Sequence, residues 1–163
     1  MISRYSPPET YQQWLECFQY LQQHPRDHEM LGVVSQGQYL GKPAEAFLVR
    51  LSETVGLVIT DHCQRFLRQI DLAFEAGEPD MVLLLAQRLR KNLQKCFFYR
   101  SLPFLDDSYV QTLDDGFNGQ LVLFWSSFVD QLRKSARESM DPGMEELYHG
   151  VKRMKIVQQE VRK

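Results

Sequence analysis

Little in this chain could staple, anchor or cross-link it. Cysteine occurs three times in 163 residues, as Cys17, Cys63 and Cys96, and never as a CxxC pair. An odd, scattered set among apolar neighbours excludes a disulfide framework and a zinc knuckle. It predicts small core residues in a reducing compartment. Glycine and proline are few, 9 and 7, and dispersed, which excludes collagen and low-complexity linkers. The first residues, MISRYSPPETYQQ, hold no apolar run, so no secretory leader is expected and the expected location is cytoplasmic. The longest charge-free stretch, Gly116 to Val129, falls short of the ~20 residues a spanning helix needs. A surplus of positive charge is missing too. Lys and Arg number 19 against 21 Asp and Glu, for a net charge of -2, which disfavours a strongly basic nucleic-acid binder.

What is present is the apolar stock of one ordinary domain. Hydrophobic residues make up 44% of the chain and charged residues 25%, and at this length one core buries about 70% of the surface exposed by the unfolded chain. The periodicity is helical. Tyr11, Trp14, Leu15, Phe18 and Leu21 recur at three- and four-residue steps after Ser6-Pro7-Pro8-Glu9, predicting a first helix capped by Ser6 and ending at His24-Pro25. Residues 25–42, punctuated by Gly32, Gly37 and Gly41, read as an irregular loop with one turn of helix or an extended piece. Phe47, Leu51, Val55, Val58, Ile59, Phe66, Ile70 and Phe74 predict a long helix from about Pro43 to Ala76, closed by Gly77. A third helix is expected from about Pro79 to Tyr99, with an apolar first half. After Leu102-Pro103-Phe104-Leu105 a short helix over 107–113 is expected. A turn at Asp115-Gly116-Phe117-Asn118-Gly119 and a fourth long helix from about Gly119 to Ser139 follow it. Asp141 and Pro142 start the last helix, whose end over 156–163 is expected to fray. The fold class expected is all-α: a single helical domain over 1–163, built as a bundle of four to five long antiparallel helices.

Most chemical motifs fail on spacing. Gly37, Gly41 and Lys42 suggest a phosphate loop, but only three residues separate the glycines and Pro43 stands where a metal-binding hydroxyl belongs. One Glu-x-x-His pair, Glu146 and His149, has no second copy to complete a di-iron site. Counted from Asp114, the third position of a calcium loop is Gly116 and the twelfth is Trp125, neither of them a ligand. Asp106, Asp107, Asp114 and Asp115 therefore read as a solvated acidic loop. His24, His28, His62 and Cys63 would form a zinc site only if the fold gathered them from distant segments. A helix-turn-helix around Gly56 fails because His62 and Arg65 fill slots that need apolar residues.

Charge is unevenly distributed. Residues 80–100 carry five basic groups and one acid, while residues 101–131 carry five acids and no base. Arg88, Lys91 and Lys95 share one helix face, a candidate surface for phosphates. The last helix places Met144, Leu147, Val151, Met154 and Val161 at alternating three- and four-residue steps, a short heptad seam suited to its own bundle, a dimer mate or a partner's groove. These features predict a non-enzymatic, cytoplasmic helical interaction module, adaptor or chaperone-like. It would bind another protein, or a second copy of itself, through that seam. No cofactor, metal or membrane contact is expected. The alternatives are a nucleic-acid-associated regulator using the face of 88–100 and the C-terminal cations, and a ligand-binding or enzymatic bundle lined by Trp14, Phe97 and Trp125.

Overall fold

A computed structural model describes residues 6–156. The helices in it are α1 (Tyr11–Gln23), α2 (His28–Val34), α3 (Glu45–Glu75), α4 (Met81–Cys96), α5 (Asp107–Ser139) and α6 (Pro142–Lys152), with a 3-10 turn, Phe98–Ser101, after α4. The protein is all-helical: no strand occurs among the described residues. None of these helices is long and apolar enough to cross a membrane.

Thr10, rather than Ser6, starts α1. Its hydroxyl accepts from the Gln13 backbone N–H, and the Gln13 side chain accepts from Thr10 N–H, a reciprocal capping box. The residues before it are engaged elsewhere. Pro8 and Glu9 carbonyls accept backbone N–H groups of Gln38 and Leu40, which holds the segment extended. The stretch expected as a loop over 25–42 carries α2, two turns capped by Asp27 through Met30 N–H at 3.1 Å. Gly32 lies on its exposed side, so the helix tolerates it. Gly77 closes α3 with φ 69°. Gly77 and Glu78 N–H groups donate back to Phe74 and Ala73, a Schellman termination.

The expected turn at 115–119 does not exist. α5 runs unbroken for 33 residues because Leu113 and Leu121 are buried and Phe117 packs on the core to either side of it. Gly116 and Gly119 face open space, so each costs only its propensity, roughly 1 kcal/mol against Ala. Asp114, expected in a solvated loop, is consequently buried. The last helix ends at Lys152 rather than continuing to Val161; of the residues 156–163 expected to fray, Ile156 is buried and 157–163 lie outside the described part.

α3 is the central element. α4 packs on it in the opposite direction, so that His62 meets Cys96 while Phe66 and Gln69 lie beside Leu89 and Leu85. α1 lies on α3 through Trp14, Phe18 and Phe47. α2 packs on α4 and the 3-10 turn, and α6 on α5 and α4. Tyr109 of α5 donates to the Leu48 carbonyl of α3 at 2.7 Å.

Candidate functional site

α2, α3 and α4 enclose a cleft of about 390 Å³. α3 presents His62, Arg65, Phe66 and Gln69 at helical spacing, and α4 presents Leu85, Arg88, Leu89 and Asn92 at matching spacing. Arg26 and His28, at the start of α2, close the third side. Among the described residues no carboxylate lines the cleft. Asp61 is not part of that lining, but lies 3.6 Å from Arg26 Nε.

His62 is the deepest polar group there, 4% exposed. Its Nδ1 lies 2.9 Å from the Val58 carbonyl oxygen one turn back in α3. A carbonyl only accepts, so Nδ1 carries the proton and Nε2 keeps its lone pair. Nε2 is buried and has no hydrogen-bond partner. It is the nitrogen left for an occupant of the cleft. In the neutral ring this leaves Nε2 as an acceptor.

His28 separates this cleft from a second cavity. Its ring stands 5.6 Å from that of His62, and its Nδ1 is also buried without a partner. Burial, then the charges of Lys95 and His62, hold its pKa below the ordinary histidine value, against an opposing pull from Asp27. The second cavity, about 310 Å³, reaches from His28 to Lys95, Phe97 and Arg100.

Arg100 is anchored from behind. Its Nε donates to Asp114 Oδ1 at 2.8 Å, and its guanidinium lies 4.2 Å over the Phe97 ring. The Tyr99 hydroxyl donates to the same carboxylate oxygen. Burial first, and that bond second, push the Tyr99 pKa far up. Arg100 Nη2 remains buried without a partner.

The basic face expected on α4 is thereby divided. Arg88 lines the first cavity and Lys95 the second, with Lys91 exposed between them. On α6, Met144 and Val151 are buried in the protein's own core and Leu147 is half-buried against it, as is Met154 just past the helix end. Val161 lies outside the described residues. The aromatics Trp14, Phe97 and Trp125 do not share a cavity. They sit in separate groups, Trp14 with Phe47 and Phe104, Phe97 with Tyr99 and Phe117, Trp125 with Phe66 and Phe128. His28 and His62 meet, but His24 stacks on Tyr20 and Cys63 lines a different groove beside Phe124. No metal-ligand cluster of three His, Cys, Asp or Glu forms among the described residues. The three thiols are free and buried, with burial raising Cys17 to about 11 and Cys63 to about 12.

Sequence reasoning missed Arg26, Arg65 and the pairing of the two histidines. The signal was the polar intrusion of His62 and Arg65 into an apolar stripe. No known family pattern, curated protein or solved structure matches this chain.

Proposed function

We propose that this protein binds a small phosphorylated molecule in the cleft between α2, α3 and α4. The observation that carries the reading is an unpartnered buried nitrogen, His62 Nε2, on a residue that lines a space ringed by Arg26, Arg65 and Arg88. Guanidinium groups bind phosphate and carboxylate alike. The histidine separates them. An ionised carboxylate only accepts hydrogen bonds and would leave Nε2 without a donor. A phosphate monoester, with its second pKa about 6, brings charged oxygens for the arginines and a hydroxyl for the histidine.

The α6 seam supports partner binding less well, because Met144 and Val151 are already engaged in the core. The free buried cysteines support a cytoplasmic setting. The nucleic-acid reading uses the same cations, but a cavity with a buried base suits a small molecule better than a polymer backbone.

Thermal denaturation against phosphate, glycerol phosphate, malonate and citrate tests the proposal. Phosphate monoesters should raise Tm in proportion to the logarithm of concentration. Arg88→Ala should abolish the shift, and His62→Phe should remove the preference for phosphate over carboxylate. Equal shifts from malonate and glycerol phosphate, or an Arg88→Ala variant that binds normally, would overturn it.

A further inference from the structure

We infer that the ligand is elongated and doubly anionic, with a phosphoryl group in the first cleft and a second one at Lys95 and Arg100. This rests on the phosphate reading of the first cleft. The two cavities lie on either side of His28, which lines both, so a molecule that engages both must reach past its ring. Arg88 and Lys95, one in each cavity, lie seven residues apart on α4, a rise of about 10 Å. That distance is the expected separation of the two charged groups.

The far end is equipped for an anion. Lys95 is exposed there, and no carboxylate lines the cavity. Arg100 spends its Nε on Asp114 and keeps Nη2 buried and unpartnered. A buried guanidinium nitrogen without an acceptor is costly, and a phosphoryl oxygen in the cavity would supply one. Beside these cations the cavities carry uncharged side chains, Leu89 and Asn92 in the first and Leu31, Gln94 and Phe97 in the second. A bisphosphate with an uncharged organic spacer matches this combination of cations and uncharged side chains.

Calorimetric titration of the whole protein with alkane-α,ω-diol bisphosphates of increasing length, beside alkyl monophosphates of equal length, tests it. Affinity should peak at one intermediate length and exceed the matching monophosphate by about tenfold or more, because the second end binds at high effective concentration. Lys95→Ala should reduce the best bisphosphate to the affinity of the monophosphate of equal length measured on the same variant. Lys95 is exposed, so this substitution leaves the core untouched.

Bisphosphates no tighter than monophosphates at any length would overturn the inference. Monophosphate binding that depends on Arg88 would then leave the first cleft's reading standing. Silence from both series would overturn both. A single-stranded oligonucleotide bound more tightly than every bisphosphate would also overturn it, since the cavities would then be stations along a polymer.

Discussion

The main chain of Gly37 lies against the indole of Trp14. A Cβ there would stand 2.7 Å from Cη2 and closer still to Cζ2. The indole has nowhere to go. It is fully buried, its Nε1 donates to the Gln38 carbonyl at 2.7 Å, and Phe47 and Phe104 meet it edge-on. Gly37→Ala is therefore expected to cost about 2 kcal/mol, as an overpacked core does. The urea midpoint should fall with an unchanged m value. A midpoint equal to the wild type would show that the 36–40 segment lifts off the tryptophan freely.

Met140 joins α5 to α6 in the left-handed region, at φ 53° and ψ 24°, with its side chain almost wholly exposed. An L-residue costs about 1 kcal/mol there, which glycine avoids. Glycine's greater freedom when unfolded offsets part of this, so Met140→Gly should raise Tm by about 1 °C in a chain of this size. A lowered Tm would mean that the exposed methionine side chain contributes packing that the structure does not display.

Alkaline pH should destabilise the fold. Burial raises Cys17 to about 11, Cys63 to about 12 and Tyr109 to about 12. In the unfolded chain thiols ionise near ~8.5 and phenols near ~10. Between the unfolded and folded values the native state holds more protons, so stability is full below about pH 8 and declines above it. Urea midpoints should hold from pH 7 to about 8 and drop from there to pH 10. Ellman's reagent at pH 8 should label none of the three thiols until denaturant is added. Rapid labelling of the native protein would show that one of these sites opens locally.

Acid should weaken the fold through His28. Its folded pKa lies below the ordinary value, chiefly from burial and then from Lys95 and His62. Below about pH 6.5 the unfolded chain takes up a proton that the native state resists, so stability falls as pH drops toward the folded value. His28→Asn should narrow the difference between urea midpoints at pH 7.5 and 5.5. An undiminished difference would place the acid sensitivity in another group.

The long helices were legible because their ends are written in local chemistry: Gly77 where α3 must reverse, Asp141 and Pro142 where α6 begins. α2 was hidden because Gly32 and its short length argue for a loop, and its stability comes from Met30, Leu31 and Val34 pressed into the core. The continuity of α5 was hidden because Asp115-Gly116-Phe117-Asn118-Gly119 has the local preferences of a turn, and tertiary packing of Leu113, Phe117 and Leu121 overrides them. Of the cations, Arg88 at the cleft and Lys95 at the second cavity were visible on one face of α4. The rest was not, since Arg26, His28, His62 and Arg65 come together only when three helices pack. One sequence period records a single helix's own faces and says nothing of which neighbour each face meets.

Arg100 faces two ways, with one nitrogen on Asp114 of α5 and another turned to no partner. The 3-10 turn is therefore a hinge pin between the second cavity and the first third of the longest helix. An anion seated on Arg100 should slow amide hydrogen exchange around residues 110–118, on the far side of the pin from the ligand. Occupancy would thus be recorded as a change in local opening of α5, a helix that the ligand itself need not touch.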